Sequence, residues 1–146
     1  SRYHKTYDIN AKIVKIDSKS SKWGIGTMII PAPIEVDAIM KKVPRGKIIT
    51  INEIRAKLAK KHKTKIGCPL TCGIFAWIAA YASEEDKNNK IKNPTPWWRT
   101  LKSNGMLNEK YPGGIKNQKK LLIKDGLKII KKGKKYFVKS FEKYIY

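Results

Sequence analysis

The sequence predicts a mainly α-helical domain with a small β-wing, of the winged-helix kind. Three observations carry that prediction. A capped helix, a basic turn and a proline-led apolar helix follow one another between residues 50 and 82, the layout of a helix-turn-helix. Short alternating stretches flank turn residues at Ser103-Asn104-Gly105 and at Gly133, which suits small strands and hairpins. The apolar share, 41% of 146 residues, suffices for one core and one domain.

Residues 1–33 read as an amino-terminal arm. Ala11 to Ile16 alternate in polarity, as a strand or as an arm lying on the domain. Residues 19–22 read as loop. Trp23 and Gly24 re-enter apolar territory, and the prolines of Ile30-Pro31-Ala32-Pro33 hold the chain extended. A first helix is expected over residues 34–43, with Val36, Ile39 and Val43 on one side. Pro44-Arg45-Gly46-Lys47 ends it. Thr50 at the N-cap and Glu53 at N3 form a capping box that starts a second helix. Its apolar face is Ile51, Ile54 and Leu58, and its outer face is Arg55, Lys57, Lys60 and Lys61.

Lys63-Thr64-Lys65-Ile66-Gly67 is the basic turn, and Pro69 suits the first turn of a third helix. Ile74, Phe75, Trp77, Ile78 and Tyr81 cover nearly all its sides. That predicts a buried helix exposed only at its start, with residues 83–92 as a loop. The segment from Trp97 through Leu107 is expected to form a hairpin, the wing. Residues 115–124 read as a fourth helix closed by Gly126. Residues 127–146 read as a basic carboxy-terminal hairpin or extension. From Gly113 onward the chain carries eleven lysines against two acids.

The formal charge is +22, far outside the usual range for an enzyme of this size. Such a field attracts DNA, RNA or an anionic membrane surface, without sequence preference. An A+T-rich genome would also favour Lys, Ile and Asn; it explains Lys over Arg better than it explains the scarcity of Asp and Glu. The first residues lead into no apolar signal region, and the longest mostly apolar run, residues 74–82, is too short for a bilayer. An intracellular location (nuclear, nucleoid-associated or virion-associated) is the expectation. Cys68 and Cys72 stand four apart with no cysteine–histidine cluster, so no metal is expected. Neither has a clear base, since the chain holds two histidines, His4 and His62. Inert, buried thiols are the simpler reading than a nucleophile.

Pro96-Trp97-Trp98-Arg99 is the densest aromatic motif. Two indoles side by side read either as a pocket wall that stacks on a base or as core packing. Trp98 is the one expected in the core.

In order along the chain, several motifs resemble the O6-alkylguanine-DNA alkyltransferase family. Val43-Pro44-Arg45-Gly46-Lys47 with Thr50 resembles its PRGKVTT entry to the helix-turn-helix, and Pro96-x-x-Arg99 sits where that family has PCHRV. Gly105-Met106-Leu107, Tyr111 and Gly113-Gly114 resemble its G-x-L…Y-x-GG. Gln118, Leu121-Leu122 and Asp125-Gly126 fall on its K-x-x-L-L-x-x-E-G. The resemblance covers residues 34–126. It implies a winged-helix-like domain of the alkyltransferase carboxy-terminal type. Such a domain binds the DNA minor groove and flips a damaged guanine to a cysteine thiolate.

Here Trp97 stands at the cysteine, Trp98 at the activating histidine, and Asp125 at the glutamate. The alkyltransferase-like branch also places Trp at the cysteine; it binds alkylated DNA without transfer. The family's flipping tyrosine corresponds to Ile51, its arginine finger to Gly73, and its asparagine falls near Ala82.

The resemblance therefore implies a non-enzymatic DNA-binding protein, with alkylated guanine as the lesion it would sense, without a cofactor. Duplex DNA is the expected partner, with RNA and other repair or nucleoprotein factors as further candidates and no membrane. The nucleic-acid contacts expected are Arg45, Lys47, Thr50, Asn52, Lys63, Lys65, Thr71, Cys72 and Gly73. The pocket expected is Trp97, Trp98, Arg99 and Tyr111, with Arg99 structural. The alternative is an architectural or RNA-associated protein whose pocket is only packed core.

Overall fold

Strand β2 (Gly26–Ile30) lies between β1 (Lys12–Ile16), antiparallel to it, and the two-residue β4 (Ile66–Gly67), parallel to it. The computed structural model describes residues 10–16 and 25–146. His4, the loop expected at 19–22, and Trp23 and Gly24 lie outside them. Ile29 of β2 is wholly buried against the helices, so this part of the arm belongs to the domain.

Helix α1 (Pro33–Lys41) starts at a proline and buries Val36 and Met40. The Pro44-Arg45-Gly46 break leads to β3 (Ile49–Thr50) and α2 (Ile51–His62). Glu53 Oε1 accepts from the Thr50 N–H at 2.7 Å, the capping contact that the Thr/Glu spacing predicts. Ile54 and Leu58 face the core.

Helix α3 (Pro69–Asn88) differs from the expectation in two ways. It runs on to Asn88, into the stretch 83–92 read as loop, because Ser83 is buried and donates from its hydroxyl to the Thr95 carbonyl at 2.6 Å, while Thr95 Oγ1 donates to Asp37 of α1 at 2.6 Å. It is also not buried all round. Cys72, Phe75, Ala76, Ala79 and Ala80 make the packed side, where small side chains let neighbouring helices approach. Leu70 and Tyr81 stay 69% and 52% exposed.

The segment from Trp97 through Leu107, expected as a hairpin, closes a turn, with the Lys102 N–H donating to the Met106 carbonyl at 2.9 Å, but its two arms do not pair as strands. Trp97–Arg99 is a single 3₁₀ turn, and β5 (Thr100–Leu101) pairs in parallel with β3. The turn itself is real: the Gly105 N–H donates to the Lys102 carbonyl at 2.9 Å, and Gly105 has φ of 80°. Beyond it the chain pairs with the terminal hairpin instead, through a Met106–Phe137 bridge. The cause is a second core, in which Leu101 and Leu107 meet Ile48, Leu122, Leu127 and Val138.

Helix α4 (Gly114–Lys124) and the hairpin β6 (Ile129–Lys132)–β7 (Lys135–Val138) complete the chain. The last residues return to the α1–α2 linker, where Ile48 bridges Ile145. Residues 127–146 are thus packed into the domain.

Candidate nucleic-acid interface

Helix α2, the turn at 63–67 and the start of α3 form one locked unit. The Arg55 Nε donates to the Gly67 carbonyl at 2.8 Å. A Cβ on Gly67 would lie 2.7 Å from the Arg55 carbonyl oxygen, so only glycine allows this approach. Lys63 takes the left-handed conformation that caps α2. Its side chain and that of Lys65 are exposed, as are Lys57, Lys60 and Lys61 on the outer face of α2.

The expected contact residues divide. Lys47, Asn52, Lys63 and Lys65 are exposed. Asn52 accepts from the Ser103 hydroxyl at 3.1 Å, which ties α2 to the 103–105 turn. Gly73 faces open space, since a Cβ there would meet nothing within 4 Å; helix packing does not explain this glycine. Thr50 and Cys72 are wholly buried and cannot reach a ligand. Each points inward because its backbone position serves the core: Thr50 ends β3, and Cys72 lies on the packed side of α3. Thr71 is half-buried, with a hydroxyl that has no partner among the described residues. Arg45 is exposed but stands elsewhere, donating to the Lys124 carbonyl at 3.0 Å beside Trp98.

The tryptophan turn is held from four sides. Trp97 is wholly buried and donates from its indole N–H to Glu84 at 2.9 Å. It packs edge-on against Trp98, with ring centroids 5.8 Å apart, and tilted against Tyr111 at 5.3 Å. Trp98 donates to Asp125 at 2.9 Å, and Arg99 pairs with the same carboxylate and donates to the Val43 carbonyl. Buried Gln118 donates to the Trp98 carbonyl at 3.1 Å.

The order expected of the two indoles is reversed. Trp97 is core, and Trp98 borders a surface hollow of about 370 Å³ shared with Arg45, Lys87 and Lys124. Tyr111 is core too, and burial pushes its hydroxyl pKa upward. The indole at position 97 fills the space that a smaller side chain would leave open.

No family model matches the chain, and no curated protein matches it. Among solved structures, S. pombe Atl1 in complex with damaged DNA containing O6-carboxymethylguanine has a similar fold. The TM-score is 0.54 at 19% identity, covering 78% of this chain and 93% of that one. A second S. pombe ATL–DNA complex covers the same shares at 20% identity with a TM-score of 0.48. The chain shares the fold of the alkyltransferase-like protein Atl1.

Cys68 and Cys72 are both buried and unpaired, and burial, reinforced by the neighbouring Cys68, pushes the Cys72 thiol up to about 12. Among the described residues no group of His, Cys, Asp and Glu could hold a metal ion, and no helix is long and apolar enough to cross a membrane.

Sequence reasoning missed a cleft of about 650 Å³ between the starts of α2 and α3 and the 102–110 loop. Ile51, Leu70, Gly73, Ile74 and Trp77 line it. Ile51 and Gly73 are the positions where the family resemblance expects a tyrosine and an arginine finger, so the cleft opens where two long side chains are absent. The alanines on the packed side of α3 were the available signal. They mark the inner side of α3, and Leu70, Ile74 and Trp77 fall off it beside the cleft.

Proposed function

We propose that this chain is a non-enzymatic protein that binds duplex DNA across α2, the basic turn and the start of α3. These would act as a helix-turn-helix, with the lysine-rich β6–β7 hairpin as the wing. The observation that carries the reading is the Lys63–Lys65 turn, held rigidly between two helices by the Arg55–Gly67 contact, on a chain of charge +22. Atl1, of similar fold, is seen with damaged DNA, which supports DNA as the polyanion. Alkyl transfer is not proposed, because Trp97 stands buried at the position that the resemblance assigns to the acceptor cysteine.

The test is duplex binding across a salt series. Log affinity should fall linearly with log salt, by about 0.9 per phosphate contacted. Absence of binding at low ionic strength would overturn the proposal.

A second reading has one observation in its favour. Trp97 and Tyr111 are core, so the pocket expected of a lesion sensor is filled and charge alone drives binding. Under it, RNA competes as well as DNA, and a duplex with one O6-alkylguanine binds no tighter than its unmodified counterpart. Tighter binding of the modified duplex would favour lesion sensing instead.

A further inference from the structure

On one side of α3, Leu70 and Tyr81 are exposed, and Ile74 and Trp77 between them are half-buried. Leu70, Ile74, Trp77 and Tyr81 recur at i, i+4, i+7 and i+11, one stripe of an α-helix. The stripe begins in the cleft and ends at exposed Tyr81. Exposed apolar surface of this kind marks a binding face.

The charges around it select the occupant. Arg55, Lys102 and Lys110 stand on the cleft walls with one acid, Glu109, which Lys102 already pairs at 3.1 Å. An apolar protein partner has no use for this cationic rim. A nucleic-acid strand uses both parts, flat faces for its bases and cations for its phosphates. A closed duplex hides its bases in the stack, so only an unpaired strand can offer them.

We propose that the cleft and the outer stripe of α3 hold an unpaired strand, with one base on Trp77, the next on Tyr81, and phosphates on the Lys102–Lys110 rim. The stripe spans about 16 Å at 1.5 Å per residue, room for a few nucleotides. Glu85 and Asp86, one turn beyond Tyr81, repel a further phosphate and end the footprint. The inference rests on duplex binding by the adjoining face and deepens it: the protein sits where duplex passes into single strand.

The experiment compares, for the full chain at one salt concentration, a labelled blunt duplex with the same duplex carrying a short single-stranded overhang. The wild type should bind the overhang form about tenfold tighter, the size of one base–aromatic stack. Trp77→Leu should lower the ratio, leaving the Tyr81 stack, and Trp77→Phe should keep it. Tyr81→Leu, at an exposed position outside the core, should lower the ratio without affecting folding. Equal binding of the two forms by the wild type, or a ratio that survives both leucine variants, overturns the inference and leaves duplex binding standing. No binding to either form overturns both.

Discussion

Arg99 and Asp125 form a bidentate ion pair that ties the tryptophan turn to the end of α4, with Nε–Oδ2 at 2.7 Å and Nη2–Oδ1 at 3.2 Å. The two side chains keep 13% and 7% of their exposure, and Trp98 donates to the same carboxylate. The pair is near-buried and fully hydrogen-bonded, the condition under which breaking it is costly. Arg99→Gln should destabilise the fold by about 3–5 kcal/mol, since it leaves Asp125 buried and unpaired. Adding Asp125→Asn should recover part of that loss. Chemical denaturation of both variants measures it, and equal stability of wild type and Arg99→Gln would refute the role.

Restoring a cysteine at position 97 should not restore transfer. Trp97→Cys removes a wholly buried indole and opens a cavity, at a cost of about 3 kcal/mol. The neighbouring position is Trp98, so the new thiol would have no imidazole beside it. Mass spectrometry after exposure to alkylated DNA should find no adduct on the variant.

Gly67→Ala tests the lock between α2 and the turn. The new Cβ would meet Arg55 backbone atoms at 2.7 and 2.9 Å, and backbone cannot step aside as a flexible side chain can. A loss of about 1–3 kcal/mol is expected, together with weaker duplex binding. Unchanged melting of the variant would show that the approach is not tight.

High pH should destabilise the protein through Cys72. Its thiol keeps its proton up to about 12 in the folded chain, against an ordinary value of 9. Between those values the unfolded chain binds fewer protons, so stability falls as pH rises. Buried Tyr111, also raised, acts in the same direction. Urea midpoints should be level below about pH 9 and decline above it. Cys72→Ala should flatten the first part of the decline.

Lys63→Asn keeps a residue that tolerates the left-handed conformation while removing the charge. If Lys63 meets a phosphate, the salt slope of duplex binding should shrink by about 0.9. A slope identical to the wild type's would place Lys63 off the DNA.

Most helices were legible in the sequence because their signals are local. Thr50 and Glu53 mark the start of α2, Pro69 the start of α3, and Gly126 the end of α4, each through backbone chemistry within a few residues. The hairpin expected from Trp97 through Leu107 was not found because a turn signal at Ser103-Asn104-Gly105 shows that the chain reverses and not which strand it joins. Trp97 is the fully buried indole and Trp98 the half-buried one, the opposite of the expectation, for a related reason: adjacent residues on a 3₁₀ turn point in different directions, and side-chain type is the same.

The sequence by itself determined the order of helix, basic turn and helix, the strong positive field and the tryptophans at the two positions that the resemblance gives to catalysis. These depend on residue identity and short spacing. Only the tertiary structure decided that Trp97 is sealed into the core, that Leu70 and Tyr81 stay exposed and that Trp77 is half-buried beside the cleft. α3 is apolar on nearly every side, so its own pattern cannot choose an inner face. The choice falls to packing, which puts the alanines where helices approach closely and leaves the large side chains beside the cleft.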